Sequence, residues 1–159
     1  MLELSPPSLV PFCTLRVELG PVHDVGPVRA GQRRVVPVLG GSVTGRLEGR
    51  VLPGGADWLT VTADGVAEMD ARYLLVTADG ALVEVVNQGA RHGPPEVMAR
   101  LAAGEPVDPA SYSMLSTARL ESGHPAYRWL NRLVLVGTGA READTVQVDL
   151  YLLEPGARE

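Results

Sequence analysis

Along the run Val66 to Val76, the charged residues Glu68, Asp70 and Arg72 recur at alternate positions. In an extended strand they share one face, opposite Met69, Ala71, Tyr73 and Leu75. Two placements of that face are open. Turned into a closed sheet, a carboxylate beside a guanidinium would orient a polar substrate or serve as general acid or base. Turned outward, the same residues form the solvated side of a half-buried strand. The inward placement is the sharper expectation. It makes Asp70 and Arg72 a buried pair, because a buried carboxylate is costly unless paired. A hydrogen bond from Tyr73, Asn131 or Arg72 would then steady a developing oxyanion.

Other residues supply candidate walls for a ligand. Asp57 and Trp58 follow the Gly54-Gly55 turn, a loop-strand junction of the kind on which sites are built. An indole there would stack on an unsaturated ligand; packed in the core, it would leave Asp57 to cap the turn. Tyr127, Trp129 and Asn131 alternate and would give an aromatic wall with one amide, although core packing accounts for them equally. Tyr112 opens the strand after an Asp-Pro loop and completes the set of expected ligand contacts. Arg119 with Glu121, and Glu84 with Gln88, share parity in their runs and read as surface pairing. The lone Cys13 alternates with apolar residues as a small buried hydrophobe. His23, His92 and His124 are scattered, with neither H-E-x-x-H nor zinc-ligand spacing, so no metal is expected.

Composition narrows the classes. All 14 basic residues are arginine. Without lysine the chain forms no lysine Schiff base and no P-loop. No flavin, nicotinamide or heme motif is visible either, and no cofactor is expected. A net charge of −5 argues against a nucleic-acid partner. No apolar stretch approaches the roughly 20 residues of a membrane-spanning helix, and the first residues, MLELSPPSLV, lack a secretory pattern. The expected location is the cytoplasm. A homodimer is one assembly open to such a chain.

These residues must be positioned by strands. With 159 residues, 45% of them hydrophobic, the chain is expected to fold as a single domain over 1–159. Short β-rich runs alternate with Gly, Pro and Asp-Gly punctuation. They span Phe12–Leu19, Arg33–Val38, Val43–Leu52, Asp57–Thr62, Val66–Thr77, Ala81–Gln88, Met114–Glu121, Leu133–Gly139 and Thr145–Leu153. Asp64-Gly65 and Asp79-Gly80 make the middle a meander. The one convincing helix is Glu96–Ala103, with one further helical turn over Tyr127–Leu130 and tails at 1–8 and 156–159. The expectation is an all-β fold: a closed or nearly closed antiparallel β-barrel over 10–154, with eight to ten strands and one short helix over an end.

The string Val51-Leu52-Pro53-Gly54-Gly55-Ala56-Asp57-Trp58, followed by Met69-Asp70-Ala71-Arg72-Tyr73, resembles the bacterial and fungal family called domain of unknown function 3237. Gly40-Gly41, Asn87-x-Gly89, the Gly104 to Pro109 loop, Tyr127-x-Trp129-Leu130-Asn131-Arg132 and Gly137-x-Gly139 follow in the family's order. The resemblance implies a compact β-barrel of unassigned role. Where the family often has a Tyr-x-Phe-Arg-Thr-like strand, this chain reads Ser111-Tyr112-Ser113-Met114-Leu115-Ser116-Thr117. If that strand lines a cavity, the departure implies a larger or more apolar ligand.

The functional expectation is a small-molecule-binding barrel acting as a cofactor-independent cyclase or isomerase on an apolar or polyunsaturated metabolite of secondary metabolism. The alternative is a non-catalytic carrier or sensor of such a metabolite.

Overall fold

The computed structural model describes residues 1–156; residues 157–159, part of the expected C-terminal tail, lie outside them. Ten strands form one antiparallel sheet: β1 (Ser8–Leu19), β2 (His23–Val28), β3 (Gly31–Gly45), β4 (Gly49–Val51), β5 (Ala56–Val61), β6 (Ala67–Thr77), β7 (Leu82–His92), β8 (Ser113–Glu121), β9 (Leu135–Arg141) and β10 (Thr145–Glu154). Helix α1 (Pro95–Ala102) joins β7 to β8, and a 3₁₀ helix (Arg128–Arg132) joins β8 to β9. No helix among the described residues is long and apolar enough to cross a membrane.

The sheet closes because β1 pairs with both β10 and β3. Along one edge of β3, β1 and then β2 run in the same direction; along the other edge β4 and then β5 do so, both also pairing with β6. The ten strands therefore make eight staves, two of them broken, at Gly20-Pro21-Val22 and at Pro53-Gly54-Gly55. The run Arg33–Val38 and the first three residues of the run Val43–Leu52 belong to one 15-residue strand, β3, and the second run then turns over 46–48 into β4. Pro37 sits within β3 without cost to the ladder, since it needs only to accept: its carbonyl takes the N–H of Gly20. Strand β2, absent from the sequence reading, contains Gly26, Pro27 and a bulge after Asp24, and those features mask any alternation.

Alternation fills the barrel. After a register shift between Pro11 and Cys13, the residues Cys13, Leu15, Val17 and Leu19 turn inward from β1. Tyr73 and Leu75 do so from β6, Val83 and Val85 from β7, and Val148, Leu150 and Leu152 from β10. Burying each such Leu contributes roughly 1.5–3 kcal/mol. One end is sealed: the 3₁₀ helix inserts Leu130, 1% exposed, into the core, and Trp129 meets the Phe12 ring edge-on at 6.0 Å. The two Asp-Gly hairpins are built alike. In each, the hydroxyl of Thr62 or Thr77 bonds the carboxylate of Asp64 or Asp79 and the backbone of Val66 or Ala81. The end opposite the 3₁₀ helix is open, with α1 at its rim.

Candidate functional site at the open end of the barrel

The open end is a narrow pocket: about 650 Å³ lies between its atoms when the open solvent at the mouth is counted, and about 50 Å³ is free to the centre of a water molecule. Its walls are mostly aliphatic, from Val17 and Leu19 of β1, Val36 and Val38 of β3, Met69 and Ala71 of β6, Met114 of β8, and Val146 and Val148 of β10. Its polar groups are Asp57, Tyr73, Asn87, Arg91, Ser116 and Arg141. Strand parity places them. Asn87 and Arg91 continue the inward set of Val83 and Val85, and Arg141 ends the inward set of Leu135, Gly137 and Gly139.

Asp57 is the carboxylate of the site. Its Oδ1 accepts the backbone N–H of Asp70 at 2.9 Å. Burial raises its pKa above the ordinary value, against the pull of that N–H and of Arg91 and Arg141. Arg91 and Arg141 are held below their usual basicity, chiefly by burial, with Arg34 adding like charge to both. Arg91 Nε and Asn87 Oδ1 are buried with no protein partner, although both residues are only 8% exposed. The Tyr73 hydroxyl, fully enclosed, is held protonated well above the usual phenol range, first by burial. Tyr112 accepts the N–H of Arg141 with its hydroxyl at 3.0 Å, which brings the phenol to the two arginines.

The inward placement of Asp70 and Arg72 does not hold. Both lie on the outer face, paired at 3.3 Å with side chains 38% and 58% exposed. On β6 the apolar set of opposite parity takes the interior, as its burial favours, and Asp70 also accepts from Gln88 on the surface. Asn131 is also outside the pocket: at the sealed end its amide accepts the N–H of Ser122 at 2.8 Å and donates to its carbonyl at 3.1 Å. Trp58, 49% exposed, faces outward beside Val35. Tyr127 and Trp129 belong to the sealed end, where they bond Asp79 and the carbonyl of Ala126. Of the nine expected residues, Asp57 and Tyr73 thus line the pocket, and Tyr112 stands behind it on the Arg141 backbone. The structure adds Asn87, Arg91 and Arg141, whose signal was a charged or amide residue ending an inward-facing run.

Elsewhere the plainer readings fit. Cys13 is buried, its thiol pushed up to about 12, first by burial and then by Asp149. Arg119 and Glu121 form an exposed pair at 3.1 Å. Among the described residues no three His, Cys, Asp or Glu side chains gather as for a metal ion.

Residues 7–153 match the model of a family described as protein of unknown function DUF3237. The chain belongs to that family. A UPF0311 protein of Rhodopseudomonas palustris is 42% identical over 139 residues, which span 87% of this chain and 91% of the relative. The crystal structure of a conserved protein of unknown function from that organism superposes with a TM-score of 0.89 over 96% of this chain and all of that one, at 38% identity. A beta-barrel like protein of Acinetobacter baumannii gives 0.84 at 41% identity, over 97% and 100% of the two chains. A protein of Penicillium herquei described as an enzyme shares the fold at a TM-score of 0.72 and 22% identity, over 97% and 99%. These bacterial relatives are described by fold or as of unknown function, so the pocket itself must supply the functional reading.

Proposed function

We propose that the open-end pocket binds a compact, largely apolar small molecule and acts on it without a cofactor, by proton transfer in an isomerisation or cyclisation. The observation that carries this reading is Asp57, a carboxyl with a raised pKa in an aliphatic pocket facing the buried Arg91 and the half-buried Arg141. A carboxylate of raised pKa is a stronger base once ionised, and enzymes tune acid-base groups in this way.

In the proposed step Asp57 takes a proton from carbon next to a substrate carbonyl. The electron pair passes to the carbonyl oxygen, and the resulting enolate is steadied by Arg91 and Arg141. Return of the proton to a different carbon gives the isomer. Alternatively the enolate attacks an electrophilic carbon of the same molecule, and Asp57 protonates the oxyanion so formed. Either course is balanced without oxidant or reductant. The aliphatic walls hold the chain in a reactive shape.

A panel of enolisable β-dicarbonyl and polyenone compounds, incubated with the protein in heavy water and followed by NMR, tests the reading. Deuterium incorporation faster than in protein-free solution, or a rearranged product, is expected with the wild type and is lost in Asp57→Asn. A ligand retained in native mass spectrometry, with no exchange catalysed in any compound, would favour a carrier instead.

A further inference from the structure

We propose that the ligand is an amphiphilic organic carboxylate, bound with its carboxylate at the rim on Arg91 and Arg141 and a hydroxyl at its inner end on the Asn87 amide. This rests on the reading of the open end as a ligand site, but not on catalysis there.

The charge pattern points to an anion. In a chain of net charge −5, two guanidinium groups, Arg91 and Arg141, face the carboxylate of Asp57, and the like charge of Arg34, itself paired with Asp24 at 3.9 Å, adds to theirs. Among the described residues neither Arg91 nor Arg141 reaches a carboxylate at ion-pair distance. Clustered, desolvated cations are costly until an anion joins them. A planar carboxylate matches the guanidinium fork, and the aliphatic walls ask for an apolar body behind it.

The amide sets the orientation. Asn87 pairs across to Ala71 and Ala118, and Arg91 to Ala67 and Met114, so Asn87 lies about 13 Å further down the strand than Arg91. The long arginine side chain spans part of that interval. Among the described residues the Asn87 side chain finds no hydrogen-bond partner, and its buried Oδ1 is left unpaired. A hydroxyl both donates and accepts, so it satisfies either end of the amide. Between head and tail the molecule passes Val38, Met69, Ala71 and Val146, a stretch suited to one ring.

Calorimetry with 4-hydroxybenzoate, benzoate, 4-hydroxybenzyl alcohol and inorganic phosphate reads each element. The expected order places 4-hydroxybenzoate first, about tenfold or more ahead of 4-hydroxybenzyl alcohol and several-fold ahead of benzoate, with phosphate weakest. Arg141→Gln and Arg91→Lys should each shrink the preference for the charged head, while Asn87→Leu should remove only the preference for the hydroxyl. Asp57→Asn should tighten carboxylate binding by removing like charge. Equal binding of the neutral alcohol, phosphate binding as tight as 4-hydroxybenzoate, a head-group preference that survives both arginine variants, or no binding by any of the four would overturn the proposal. Because these are binding measurements, loss of the acid-base reading leaves them standing. Their failure likewise leaves proton exchange by Asp57 to be judged on its own.

Discussion

The carboxylate of Asp57 accepts the backbone N–H of Asp70 at 2.9 Å, so two acidic residues on neighbouring strands share one hydrogen bond while their side chains face opposite sides of the sheet. The pinned one is inside. Its burial outweighs the attraction of Arg91 and Arg141, and its pKa stands above the ordinary 3.8.

That direction fixes a pH dependence. The folded protein holds the Asp57 proton more tightly than the unfolded chain does. Above the folded pKa the wild type therefore bears the full cost of a desolvated charge, and the cost fades as pH falls toward the unfolded value. Asp57→Asn keeps an acceptor for the Asp70 N–H and removes the charge. The variant should melt higher than wild type near pH 8, with the advantage vanishing below about pH 4. Thermal melts at several pH values check this; a variant less stable than wild type at alkaline pH would contradict it.

The exposed pair on the other face should behave oppositely. Asp70→Asn and Arg72→Ala remove an ion pair whose partners are 38% and 58% exposed, a setting in which such pairs contribute little. Each change should alter stability by no more than about 0.5 kcal/mol and leave ligand affinity at the pocket unchanged. Urea titrations and calorimetry on the two variants decide the point.

The difference between these two acids also shows what the sequence could reveal. Punctuation by Asp-Gly and Gly-Pro marked the meander and most strand limits, because turn chemistry is local. Parity divided β6 into two faces, Glu68-Asp70-Arg72 and Met69-Ala71-Tyr73, but parity alone does not say which face closes inward. The larger apolar set decides that, and it carried Tyr73 in and Asp70 out. Asp57 was legible from its position after a turn. Arg91 and Arg141 are inconspicuous in the sequence, because a cation at a strand end resembles a solvated terminus. Only the inward parity of Val83 and Val85, or of Leu135 and Gly137, places them in the pocket. The contact of the Tyr112 hydroxyl with the Arg141 backbone joins the start of β8 to the end of its neighbour β9, and that pairing has no signal in a single sequence.

At the sealed end, Asn131 ties the 3₁₀ helix to the end of β8 through both backbone groups of Ser122, which is itself 5% exposed. Asn131→Ala leaves those groups without their partner and should cost about 1–3 kcal/mol. Since Asn131 touches nothing at the open end, affinity there should be unaltered. A variant that kept its stability but lost ligand binding would return Asn131 to the site.

Two inward glycines on the strands flanking β8 should respond differently to the same added methyl. A Cβ on Gly89 would lie 2.1 Å from the Leu115 carbonyl oxygen and 2.7 Å from the Ser116 Cα, backbone atoms of the paired strand. Relief there requires the β7–β8 ladder to part, so Gly89→Ala should destabilise by about 2–4 kcal/mol. The three atoms nearest a Cβ on Gly139 would all belong to the side chain of Met114, its sulfur at 3.0 Å. A thioether with three rotatable bonds can move aside, and the space open to it is the pocket. Gly139→Ala should therefore stay within about 1 kcal/mol of wild type in stability, while pushing Met114 into the room a ligand needs. Benzoate affinity should fall in Gly139→Ala and recover in the double variant with Met114→Ala, which restores the space. If the double variant failed to recover binding, Met114 would not be the wall that limits ligand size.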